Sequence, residues 1–357
     1  MAFAVALLLG GCATHTHDRA EHFSHFIGVD DFSQFSKTLL ADGSCLLESQ
    51  PITTPLDWNE LVVSWNAQAP PGSGLEIQAR TFVSGHATRY YTMARWSPDN
   101  ILFKRTSVPG QEDADGTVAT DTLILTGFST NLQVRVRLEG SRGKLPRLTY
   151  LGLSLSNTHS KPPSHPANHA AWGIIIPTPE RSENGYAGSH GWCSPASISM
   201  VMDHWAEVLD RPELNHGVPE VAGLVYDEDY SGFGNWPMNT AYAGSFSGMR
   251  AIVTRLDDLS ELEDWITADV PVILSARWNL LEKGRTDTGN GHLLVCIGFT
   301  PTGDVVCNDP ATDTKRHSIR RIYSRKAVKE AWATSQNTVY LVYPTHYTLP
   351  YNRYGQW

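Results

Sequence analysis

A chain of 357 residues with 41% hydrophobic and 10% aromatic side chains holds enough apolar material for two ordinary domains. Its formal charge of -9, with 37 acidic against 28 basic residues, excludes the basic field that a nucleic acid or an anionic lipid surface requires. No nucleic acid partner is expected.

In chain order, the opening MAFAVALLLGGCATHTH is an apolar run too short to span a bilayer, and it ends in small residues ahead of a cysteine. This is the pattern of a bacterial lipoprotein signal. It predicts a signal over 1–12, lipidation of Cys12, and a protein that is lipid-anchored or secreted at the cell envelope. Residues 13–27, with His15, His17, His22 and His25 among small and charged residues, read as a tether.

From residue 28 to 157 the apolar residues recur at every second position. Leu75, Ile77 and Ala79 alternate with Glu76, Gln78 and Arg80, and Leu132, Val134, Val136 and Leu138 alternate with Gln133, Arg135, Arg137 and Glu139. Such strands, separated by Gly, Pro and Asp turns, predict an all-β antiparallel sandwich. Trp58, Trp65, Tyr90, Tyr91 and Trp96 belong either to its core or to a glycan-binding platform on it. The run SNTHSKPPSHPANHA has no periodicity and marks a linker, placed at 158–172. Residues 173–357 mix helical and strand spacing, so the second domain is expected to be α+β.

Four cysteines remain besides Cys12, namely Cys45, Cys193, Cys296 and Cys307. They are too few and too scattered for a disulfide framework or a metal site, and no metal or cofactor is expected. Cys193 stands in GWCSPASISMVMDHW, where Ile198, Val201, Met202 and Trp205 trace the buried face of a helix and Pro195 suits its first turn. A cysteine at a helix N-terminus meets unpaired backbone N–H groups and the positive end of the dipole, the setting of a nucleophilic thiolate.

His292 opens the apolar strand GHLLVCIGF, and the turn PTGD leads into a second strand ending in Asp309. Pairing Cys296 with Cys307 places Asp309 diagonally from His292 on the same face, where a carboxylate orients an imidazole. The two opposed cysteines are expected to be buried free thiols, since a bridge between directly opposed strand positions is strained. Asn235, Trp236 and Asn239, in GNWPMNTAYA, are candidates for a substrate-cleft loop.

GWCSPASISMVM, GHLLVCIGF and NDPA, in that order, resemble the bacteriocin-processing type of papain-like cysteine peptidase, in its secreted or envelope-bound branch. The segments YSGFGNWPMNTAYA, LSELEDWITADVPVILSARW and ELVVSWNAQAPPGSGLEIQAR extend the resemblance over most of the chain. It implies Cys193 as nucleophile, His292 as general base and acid, Asp309 as orienter, and a peptide or protein substrate. The family carries a glutamine upstream of the cysteine that donates to the oxyanion, and the matching position in PERSENG is Glu183. An ionised glutamate only accepts, so a protonated Glu183, the neighbouring Asn184 or another donor serves, or catalysis is altered or weak. The same triad also fits an amidase or acyltransferase acting on cell-wall peptides, and the Glu183 departure fits an inactive glycan-binding surface protein.

Overall fold

The computed structural model describes residues 23–83, 85–140, 144–283, 291–315 and 317–357. Cys12, His15, His17 and His22 lie outside them. The first ten strands are β1 (Ser24–Val29), β2 (Ser36–Leu39), β3 (Cys45–Glu48), β4 (Ile52–Gln68), β5 (Ser73–Val83), β6 (His86–Ala87), β7 (Tyr91–Trp96), β8 (Gly116–Ala119), β9 (Thr122–Gly140) and β10 (Arg147–Ser156). β1 starts inside the stretch expected as a tether, because Phe26 alternates into the core while the backbone pairs with β10.

Instead of two separate sheets, these strands share one antiparallel network in the order β1-β10-β4-β9-β3-β2, with β5 and β8 also paired to β9. β4 and β9 run for 17 and 19 residues, far beyond the usual strand, and register breaks around Trp58 bend β4. The inward residues alternate as expected, with Leu132, Val134, Val136 and Leu138 buried against Leu75, Ile77 and Ala79. Four of the five aromatics that could form a glycan platform lie in the core. Trp58, Trp65, Tyr91 and Trp96 fill the core, because large apolar rings gain most from leaving water, and Tyr90 lies against the guanidinium groups of Arg80 and Arg135.

The second sheet is antiparallel throughout, in the order β11-β16-β12-β13-β14-β15. Its strands are β11 (Met249–Arg255), β12 (Val272–Arg277), β13 (Gly291–Phe299), β14 (Val305–Asn308), β15 (Arg320–Tyr323) and β16 (Thr338–Pro344). The helices are α1 (Cys193–Leu209), α2 (Val218–Val225), α3 (Trp236–Ala243), α4 (Leu259–Thr267), α5 (Trp278–Lys283) and α6 (Arg325–Ala333). α1 is buried on every side from Cys193 to Ala206, as expected of a helix held inside a domain.

Residues 158–172 carry no strand, yet they are strapped down. The His165 ring bonds Asp257 at 3.1 Å and stacks on Tyr354, Asn168 bonds Asp264, and the Trp172 indole donates to Glu263. Farther on, residues 173–176 hydrogen-bond to β13 across Gly298, where a Cβ would stand 2.0 Å from the Ile174 carbonyl oxygen.

β11 is an edge strand, and the first sheet covers it. The Asn66 side chain donates to the Ala251 carbonyl at 2.7 Å and accepts from its N–H at 3.1 Å, while the Ser64 hydroxyl accepts from Val253 N–H. These side chains satisfy an edge that would otherwise invite another strand. Apolar residues also cross the boundary. Phe26, Val62 and Tyr150 join the second core, and Met238 and Ala241 of α3 join the first.

Candidate active site

Cys193 is the first residue of α1, and its N-cap, Trp192, makes no side-chain capping bond. The open N–H groups and the helix dipole therefore face the thiol, which is 8% exposed. His292, the second residue of β13, stands within electrostatic reach of the Cys193 thiol and hydrogen-bonds Asp309, with Nε2 to Oδ1 at 2.8 Å. Asp309 follows β14 directly, because β13 and β14 pair with Cys296 opposite Cys307 and Val295 opposite Asn308.

The acid is fixed by three donors. Oδ1 accepts from His292 and from Ala311 N–H at 2.9 Å, and Oδ2 accepts from the Tyr323 hydroxyl at 2.6 Å. Burial works against charge here, yet His292 and Tyr323 hold the Asp309 carboxyl below its ordinary range. Burial likewise disfavours a charged His292, but the Asp309 carboxylate, with Cys193 adding to it, raises the imidazole well above its ordinary range. Tyr323 went unseen in the sequence. It closes the strand RRIY two elements away, and nothing local distinguishes it from a core tyrosine.

The loop before α1 is pinned to the loop after Asp309. Glu183 N–H donates to the Pro310 carbonyl at 3.0 Å, and the Asn184 amide donates to the carbonyls of Ala311 and Thr312. Asn184 thus spends its donors on that loop. Glu183 lies close to the Trp192 peptide, one residue ahead of the nucleophile, and its Oε2 is buried without a partner among the described residues. Burial, with Asp309 adding to it, raises the Glu183 carboxyl above its ordinary value despite the opposing pull of His292.

Of the three cleft-loop candidates only Trp236 lines the cleft. Asn235 is buried as the N-cap of α3, accepting from Met238 N–H and donating to Asp227, and Asn239 is buried with its amide on the carbonyls of Phe233 and Asn235. Asn235 thus serves a first-turn N–H group of a short helix, and Asn239 ties that turn to the carbonyls ahead of it. Cys45, Cys296 and Cys307 are buried free thiols. Among the described residues no cluster of His, Cys, Asp or Glu is arranged to hold a metal ion.

A family model described as the Peptidase C39 N-terminal domain matches residues 43–156, and one described as Peptidase C39 like matches residues 177–340. Residues 177–340 form a C39-like peptidase domain, preceded by a domain that matches the C39 N-terminal family. The papain-like cysteine peptidase that the sequence motifs resemble is therefore the class to which it is assigned, with a sheet-rich domain ahead of the peptidase domain. The crystal structure of a candidate C39-like peptidase from Bacillus anthracis aligns with 15% identity at a TM-score of 0.37, covering 48% of this chain and 96% of that one. No curated protein matches.

Proposed function

We propose that this C39-like protein hydrolyses peptide bonds through Cys193, His292 and Asp309. The observation that carries the reading is the buried His292–Asp309 pair, bonded at 2.8 Å with the Cys193 thiol within its electrostatic reach. The Cys193 thiolate attacks the scissile carbonyl carbon, the C–N bond breaks as the imidazolium gives its proton to the leaving amine, and a water activated by the same imidazole releases the acyl group. Asp309 holds the imidazole orientation and stabilises its cation, and Tyr323 and Ala311 in turn hold Asp309. A protonated Glu183 donates to the oxyanion with the N-terminal N–H groups of α1, a role compatible with its unpartnered oxygen.

The first domain is a sandwich-like closure of one bent sheet that serves as a wall of the peptidase. In the same proposal Cys12 anchors the chain at the cell envelope. Cys193→Ala is expected to abolish turnover of a peptide library while leaving the circular dichroism spectrum and unfolding midpoint near wild type. Retained turnover in the fully substituted protein overturns the mechanism. Globomycin-sensitive labelling of Cys12 by radioactive palmitate tests the anchor, and absence of label with a mature chain beginning elsewhere rejects it.

A further inference from the structure

A cleft of about 730 Å³ opens beside Cys193, and both sheets form its walls. The peptidase side supplies Cys193, His190 and Tyr230, and the first sheet supplies Glu60 from β4 and Asp121 from the β8–β9 turn. Two of the nearby carboxylates are already committed. Glu60 pairs with Arg255 at 2.7 Å and takes the Gln336 amide on both oxygens, and Asp227, behind the wall, accepts from Ser107, Tyr230 and Asn235.

Asp121 differs: among the described residues no cationic side chain bonds it, and Arg255, committed to Glu60, reaches it only through the longer-range electrostatic field. Its side-chain bonds come from neutral donors, Trp236 N–H to Oδ2 at 2.9 Å and Thr122 Oγ1 to Oδ1 at 3.1 Å. A carboxylate has about four acceptor sites, so capacity is left for a ligand. Burial pushes this carboxyl up to about 6, against the donors and with Asp227 adding to the rise. Tyr230 lies within electrostatic reach of both Asp121 and Cys193, which places the carboxylate and the nucleophile along one stretch of cleft.

Resting on the peptidase reading, we propose that Asp121 is a specificity residue of this cleft, receiving a cationic group of the peptide whose scissile carbonyl lies at Cys193. A lysine or arginine side chain or a free amino terminus supplies that chemistry. An incoming cation pairs a carboxylate that has no bonded cation of its own, whereas a neutral side chain leaves it buried and unpaired. The cleft is therefore composite, with the nucleophile from one domain and the selecting charge from the other.

The test is equilibrium binding to the full chain carrying Cys193→Ala, which separates recognition from turnover. One pair of fluorescent peptides has a blocked amino terminus and differs only in lysine against norleucine. A second pair lacks basic side chains and differs only in free against acetylated amino terminus. The expected result is that the cationic member of one pair binds about tenfold to a hundredfold more tightly. Adding Asp121→Asn, which keeps an acceptor for Trp236 N–H but removes the charge, brings the ratio toward one, and Asp121→Ser serves if the Asn variant folds poorly. Equal binding within both pairs, no binding of any peptide, or a preference that survives both substitutions overturns the proposal. Failure of the peptidase reading shows separately, as wild-type protein that binds the preferred peptide and leaves it intact.

Discussion

At the scale of single residues, the relay depends on charges that only burial makes strong. His292 is raised because Asp309 outweighs its desolvation, so Asp309→Asn should return the imidazole toward its ordinary value. The basic limb of the kcat profile then moves to lower pH, and kcat falls by roughly a hundredfold or more with a smaller change in KM. A variant with the wild-type pH profile would mean that another carboxylate orients the base. Glu183 makes an independent prediction. A carboxyl raised in the folded state stabilises fully below its unfolded value, and that contribution is lost as pH rises through the folded value. Glu183→Gln should therefore match the wild-type Tm in acid and exceed it in alkaline buffer, as calorimetry across pH would record. Its activity should be retained or increased and persist to higher pH, whereas losing an oxyanion donor costs about a hundred- to a thousandfold.

At the scale of elements, the site is a meeting of ends. α1 contributes its first residue, β13 its second, and the turn after β14 its acid, and the register of one hairpin decides whether the last two touch. The alternation in GHLLVCIGF and the PTGD turn predict the hairpin, and the register with Cys296 opposite Cys307 is the one it adopts, with an irregularity between Cys296 and Gly298. The edge of β11 is the weaker point, since its Ala251 peptide relies on one side chain from another domain. Asn66→Ala strips both partners and should destabilise the protein by roughly 2–4 kcal/mol in urea unfolding, the cost of two buried polar groups left unpaired. An unchanged midpoint would show that water replaces the amide.

At the scale of the whole molecule, the two sheets exchange apolar residues, polar caps and a cleft wall. A fragment of residues 158–357 leaves the edge of β11 uncovered and exposes the faces of Met238 and Ala241. It should aggregate or fail to give a cooperative transition where the full chain gives one, because an open edge and an apolar patch recruit other copies. A monomeric, cooperatively folded fragment would show that the peptidase half stands alone.

Local pattern by itself determined the strand-rich first half, the buried face of α1, the position of Cys193 at its start, and the hairpin that joins His292 to Asp309. Each depends on spacings of two or 3.6 residues, or on turn residues within a few positions. The tertiary structure decided the rest. It turned Trp58, Trp65 and Trp96 inward, made Asn235 and Asn239 supports of α3, bound the segment 158–172 to α4, and placed Tyr323 behind Asp309. It also brought Asp121 within the same cleft as Cys193. Those contacts join residues tens to hundreds of positions apart, and no local periodicity encodes which distant polar group a buried donor, acceptor or charge will meet.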